Sequence, residues 1–207
     1  MALLVLGGVD WEEGRHEPAG AAFEESLAIH RDIQDRGGSA LALGWLATVA
    51  ASRGDAASAR SLLQESLAIH REMGSGRGVA ISLLRLARIA AAQGDHTIAE
   101  SLFRESLTRM QERGDRWGIG RALETIAWTS AALGDARRAA LLLGAAASLR
   151  MRLSLPLPPS SHQEHERAAA SARTALGPEG YEKALAEGRG LAPEEAIALA
   201  LGATRTR

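Results

Sequence analysis

The chain has 207 residues, 46% of them hydrophobic, with 24 basic residues against 25 acidic ones, no cysteine and only 3% aromatic. This length suffices for a buried core, the charge balance leaves no electrostatic footprint for nucleic acid, and the missing cysteines exclude disulfides, thiol nucleophiles and cysteine zinc sites. The longest N-terminal apolar run, Leu3 to Leu6, is too short for a membrane span or a secretory leader, so a cytoplasmic protein is expected.

Alanine supplies 42 residues, while tyrosine supplies one and phenylalanine two. Alanine has the highest helix propensity, and strands favour branched and aromatic side chains, so the composition predicts an all-α fold. The chain then repeats itself. Glu-Ser-Leu-Ala-Ile-His-Arg stands at 25–31 and again at 65–71, and Glu105-Ser106-Leu107 continues it at a period of forty. Gly54-Asp55, Gly94-Asp95 and Gly134-Asp135 keep that period, with Gly14-Arg15 at the place of a fourth copy. Ala19, Ala59, Ala99 and Ala139 recur in phase, followed four residues later by Phe23, Leu63, Phe103 and Leu143.

Each unit predicts two helices. The first, near 39–53, 79–93 and 119–133, carries apolar residues at helical spacing, such as Leu43, Leu46, Ala47 and Ala50. Gly-Asp then ends it, with Gly making the turn and Asp capping the next helix. The second, near 55–72 and 95–112, ends at Gly74, Gly114 or, in the first unit, Gly37. Helices of about 15 and 18 residues with short turns fill the period.

Leu-x2-Leu-Ala-x2-Ala, Gly-Asp and Ala-x3-Phe together resemble the tetratricopeptide (TPR) pattern, in which large and small residues alternate so that paired helices nest. The period here is forty rather than about thirty-four, leucine replaces the usual tryptophan, and the terminal proline is missing. The resemblance implies a right-handed helical solenoid over residues 1–150, its first unit truncated. Met1 to Trp11 would form the leading helix, with Leu3, Leu4 and Leu6 uncovered, so this edge is expected to self-associate or to continue a longer array.

Periodicity stops at Met151. Leu155-Pro156-Leu157-Pro158-Pro159 cannot continue a helix. Helices are predicted over His162–Leu176, from Pro178 to Glu187, and from Pro193 to Leu201, forming a helical cap over residues 151–207 at the open end of the solenoid. Ala139 to Ala146, Leu149-Arg150, Arg167, Leu176-Gly177, Glu187-Gly188-Arg189 and Glu194-Glu195-Ala196 resemble, in order, the C-terminal region of bacterial LuxR-type ATP-dependent regulators. That resemblance, over about residues 15–202, implies a sensor or scaffold part of a signalling or transcription regulator. Lys183 is the single lysine, so the phosphate loop of such ATPases is absent, and the chain would be a fragment or a relative without the motor.

Site-like strings are few. His162-Gln163-Glu164-His165-Glu166 lacks the spacing of a zinc protease and reads as a solvated helix start. His30 and His70 repeat while position 110 is Met, which fits packing rather than catalysis. Gly74-Ser75-Gly76-Arg77-Gly78 follows a helix, not a strand, and reads as an inter-unit linker rather than a phosphate cradle.

A surface remains. The TPR resemblance implies that first helices line a concave groove, whose stripe here holds Leu41, Gly44, Thr48 and Ala51, then Ile81, Leu84, Arg88 and Ala91, then Arg121, Glu124, Trp128 and Ala131. Trp45 and Arg85 border it. Tryptophan and arginine are enriched in binding hot spots, so Trp45, Thr48, Leu84, Arg85, Arg88, Arg121, Glu124 and Trp128 are the candidate binding residues. The structural alternative has Arg88 stacking on Trp128 and Arg121 pairing with Glu124. The expected function is non-enzymatic capture of a protein or peptide segment, or else of a small effector. No cofactor, metal, nucleic acid or membrane is implied.

Overall fold

A computed structural model describes residues 1–202. It holds helices α1 (Ala2–Glu12), α2 (His16–Asp32), α3 (Arg36–Ser52), α4 (Ala56–Glu72), α5 (Gly76–Ala92), α6 (His96–Glu112), α7 (Arg116–Ala132) and α8 (Ala136–Arg152). The 3-10 turn Pro159–Ser161, α9 (His162–Arg189) and α10 (Pro193–Ala200) follow, and the described residues contain no strand. The last five residues of the expected cap, 203–207, lie outside the described residues.

The period of forty divides evenly. Each helix from α2 to α8 has 17 residues, and within this run neighbours are joined by three residues. The expected split of about 15 and 18 is corrected because the first helix of each unit starts earlier than its apolar pattern. Asp35, Ser75 and Asp115 cap these starts, each side chain accepting a hydrogen bond from the backbone N–H of Gly38, Gly78 or Gly118. Gly76–Gly78 therefore belongs to the first turn of α5 rather than to a linker, and Gly37 lies inside α3 rather than ending α2. Gln34 takes the left-handed turn in the first unit, at φ 57°, where Gly74 and Gly114 take it later.

The glycines at helix starts answer to the repeated histidines. A Cβ at Gly38 would lie 2.1 Å from Nδ1 of His30, and one at Gly78 would lie 2.3 Å from Nδ1 of His70. At Gly118 it would meet Sδ of Met110 at 3.1 Å. The large residue at 30, 70 or 110 thus ends one unit buried against the bare first turn of the next. Ala19, Ala59, Ala99 and Ala139, with Phe23, Leu63, Phe103 and Leu143, are all at most 5% exposed, as large-small nesting requires.

Two further contacts recur. Ser66 Oγ donates to the carbonyl of Ala40 at 2.8 Å and Ser106 Oγ to that of Ala80 at 2.7 Å. Arg31 pairs with Glu65 at 2.7 Å and Arg71 with Glu105 at 3.8 Å. In the leading helix, Leu4 is buried among Phe23, Leu27 and Leu43, which corrects its place among the uncovered leucines. Met1, Val5, Leu6 and Val9 form the exposed apolar face of α1.

The C-terminal helices share the core of the last units: one apolar cluster runs from Ala80 to Ala200. Gly177, at φ 73°, breaks α9 ahead of Pro178 into two arms. Ala168 and Ala172 of the first arm and Tyr181 and Ala184 of the second are all buried. The α8 and α9 backbones touch through two glycines. A Cβ at Gly144 would lie 2.2 Å from the Leu185 carbonyl oxygen, and one at Gly188 would lie 2.0 Å from that of Leu141.

Two outcomes follow from this packing. Gly144→Ala or Gly188→Ala forces two backbones apart and should cost about 1–3 kcal/mol in urea unfolding, while Gly180→Ala, whose Cβ would meet only Leu176 at 3.4 Å, should be neutral or stabilising. The second concerns pH. Burial first, and the charge of Arg85 second, hold His70 below its ordinary value of 6.5. The unfolded chain then binds more protons than the folded one between the lowered folded value and 6.5, so stability falls as pH drops through that window. Thermal unfolding from pH 7.5 to 5 should show this loss, and His70→Met, copying Met110, should reduce it.

Candidate functional site

Helices α1, α3, α5 and α7 form the inner wall of the solenoid, where α3 touches α5 and α5 touches α7 directly. Their mid-points carry the expected stripe, and the structure sorts it into three groups. Leu84 and Glu124 turn inward. Leu84 is buried in the core shared with α7, and Glu124, 3% exposed, forms an ion pair with Arg150 of α8. Neither presents a surface to a ligand, which removes both from the groove as sequence spacing had placed them.

Trp45, Thr48 and Trp128 form a half-buried floor. Trp45 stacks on Phe23 with ring centroids 5.1 Å apart and planes 9° from parallel. Thr48 Oγ1 donates to the Gly44 carbonyl of its own helix at 3.1 Å. Trp128 packs against the main core, and its buried Nε1 has no hydrogen-bond partner among the described residues.

The arginines make the third group. Arg85 lies over Trp45, 5.4 Å from the ring centroid, and donates to the Gly44 carbonyl at 2.6 Å. Burial, then the charges of Arg121 and Arg88, push its guanidinium down to about 9, so it stays cationic at neutral pH. Arg121 is exposed and lies over Trp117 at 5.3 Å, with Arg77 at 5.3 Å from the same ring. Its guanidinium is also depressed, foremost because the surrounding side chains thin the water around it although its surface stays open; Glu12 and Glu164 oppose the shift and Arg88 adds to it. Arg88 binds both carboxylate oxygens of Glu164, each at 3.1 Å. Both contacts of the structural alternative are therefore replaced: Arg88 meets Glu164 rather than Trp128, and Arg121 meets Trp117 rather than Glu124.

The groove is not empty. Leaving α8, the link brings Leu155, Pro156 and Pro158 to a pocket of about 30 Å³ between α7 and the end of α8, which they line with Trp117, Arg121 and Glu124 on one side and Leu149, Arg150 and Leu153 on the other. That is room for one or two water-sized groups, well short of a metabolite. The Ser160 N–H then reaches the Glu12 carboxylate of α1 at 3.0 Å, and α9 begins with Glu164 on Arg88. The cap thus starts inside the concave face before it covers α7 and α8. His162-Gln163-Glu164-His165-Glu166 is accordingly more than a solvated helix start, since Glu164 and His165 are half-buried. Burial, followed by the charges of Arg150 and His162, lowers His165 and favours its neutral form. Among the described residues no cluster of three or more His, Asp or Glu side chains is placed to hold a metal, and no helix is long and apolar enough to cross a membrane.

Sequence spacing missed Glu12, Glu164 and Trp117 as groove residues, and Arg150 as the partner of Glu124. The first two come from elements that only folding brings together. Trp117 had a visible signal, an aromatic between Arg116 and Arg121 at the start of a repeat helix.

Sequence profiles of the tetratricopeptide repeat match residues 1–77 and 79–113. Comparison with curated protein sequences returns no match. Among solved structures, the chain is similar to a Podosopora anserina protein described as a kinesin light chain with nearly identical TPR-like repeats. It shares 17% identity with that protein over 99% of this chain and 96% of that one, at a TM-score of 0.54. A single-substitution variant of the same protein gives the same values. The chain carries tetratricopeptide repeats, and α7 with α8 continues them at the same spacing.

The Glu124–Arg150 pair is testable. Arg150→Ala leaves a buried carboxylate without its partner and should cost about 3 kcal/mol by denaturant unfolding. Adding Glu124→Gln should recover part of that loss, because the neutral amide is cheaper to bury.

Proposed function

We propose that this chain is a non-enzymatic interaction module that binds an acidic protein or peptide segment along its concave face. Tetratricopeptide repeats generally mediate protein–protein interaction, which supplies the class of function. The observation that carries the finer reading is the convergence of Arg85, Arg88 and Arg121 on one wall, beside the half-buried Trp45 and Trp128. Three guanidiniums face two carboxylates, Glu12 and Glu164, so the groove keeps an excess of positive charge although the chain as a whole carries −1. Arginine pairs carboxylates bidentately, and a concave, partly water-poor wall strengthens each such pair.

Placement of the module in a bacterial signalling or transcription regulator is part of this proposal and rests on the resemblance of the region from Ala139 to Ala196. The small-effector reading has less behind it: the pocket beneath the link, between α7 and the end of α8, holds only about 30 Å³. Self-association rests on the exposed Met1, Val5, Leu6 and Val9 face alone.

Selection from a displayed random-peptide library against the full chain should enrich acidic segments. Arg88→Ala combined with Arg121→Ala should weaken the selected peptides at least tenfold without loss of helical circular dichroism. Enrichment of neutral or basic peptides, or equal binding by the double variant, would overturn the reading.

A further inference from the structure

Resting on the concave-face reading, we infer that residues 154–165 are a resident occupant of the groove, and that an acidic partner binds by exchanging with them. The segment touches the inner wall at three separated places. Leu155, Pro156 and Pro158 line one pocket with Trp117, Gly120 and Arg121 of α7, the Ser160 N–H is held by Glu12 of α1, and Glu164 is held by Arg88 of α5.

The contacts are of a kind that can be given up. Leu155, Pro156, Pro159 and Ser160 remain exposed on their outer side, and only Ser161 is fully buried. The Arg88 and Glu164 side chains keep 35% and 44% of their surface, and ion pairs that exposed contribute little each. Pro156, Pro158 and Pro159 have no N–H to donate, so the strap makes little backbone pairing with the wall it crosses. Its two ends differ from its middle. α8 precedes it, and from Ala168 onward α9 is locked by Ala172, Tyr181, Ala184 and the Gly188 contact with α8. Lifting the strap therefore leaves the core intact.

Charge sets what replaces it. With Glu164 withdrawn, Arg85, Arg88 and Arg121 face Glu12 alone, and the vacancy at Arg88 fits another carboxylate. The resident segment displays the form that fits: an extended, proline-bearing stretch followed by a helix with a glutamate in its first turn. Because the strap is tethered at both ends, its local concentration is high, and an incoming segment must outcompete it. Partner affinity is then set by the strap's latches as well as by the groove.

The probe is a fluorescent synthetic peptide of residues 154–167 added to the full-length chain. Ser160→Pro with Glu164→Gln, which releases both latches from the strap's side and leaves the wall unchanged, should bind it at least tenfold more tightly than the parent chain does. Adding Arg88→Ala should erase that gain. Hydrogen exchange provides a second measure: amides of 155–161 should exchange faster in the double variant, while those of 168–188 stay protected. Equal peptide binding by parent and double variant would overturn the exchange mechanism and leave the groove open at all times. Binding by neither would overturn the strap as a groove ligand. The displayed-library selection would still judge the groove's partner class on its own.

Discussion

Helix backbones in this chain approach closely because side chains are missing where they would collide. Alanine at 19, 59, 99 and 139 lets the second helix of each unit sit against the first. Glycine at 38, 78 and 118 leaves space at a helix start for the histidine or methionine of the preceding unit. Gly144 and Gly188 bring α8 and α9 to backbone contact at the end of the array. Dispersion energy falls steeply with distance, so a chain poor in large aromatics gains its cohesion from proximity. The abundant alanine is thus the means by which a small-residue core reaches native packing density.

That same proximity fixes what the concave wall can present. With inner helices nested this tightly, any side chain pointing between them is taken into the core, as Leu84 is, or must find a buried counter-charge, as Glu124 does in Arg150. Long cationic side chains can reach past the contact line while burying their stems, as Arg85, Arg88 and Arg121 do. Aromatic rings lie under two of these cations, Trp45 beneath Arg85 and Trp117 beneath Arg121, and hold the guanidiniums by cation–π attraction. The resulting face is preformed, cationic and half-covered.

The repeat architecture was legible because it is a property of spacing. Gly-Asp turns, Ala-x3-Phe/Leu pairs and the period of forty give helices to within a few residues, and the Pro-rich break after Met151 is equally plain. What spacing did not reveal was direction and partnership. A stripe at i, i+3, i+4 and i+7 contains Glu124 and Arg121 alike, yet one is buried and the other exposed, since the choice depends on whether α8 stands behind the helix. The Gly38 and Gly78 positions repeated in view, but their reason lay in His30 and His70, eight residues earlier and in another helix. Arg88 meeting Glu164 across 76 positions carries no periodic mark at all.

Repeat solenoids are held together by contacts between neighbours, so their units can melt from one end while the rest persists. The bond from Ser160 to Glu12 spans 148 positions and joins the first helix to the segment that follows the last unit. It turns an open row of helix pairs into a closed circuit. Fraying at the leading helix breaks that bond as well as the contacts with α2, so the strap adds one exposed hydrogen bond of coupling between the two ends, on the order of 1 kcal/mol. Displacing the strap would return the chain to the behaviour of a linear array, with its first unit the loosest. Occupancy of the groove is thereby linked to the cooperativity of the whole molecule.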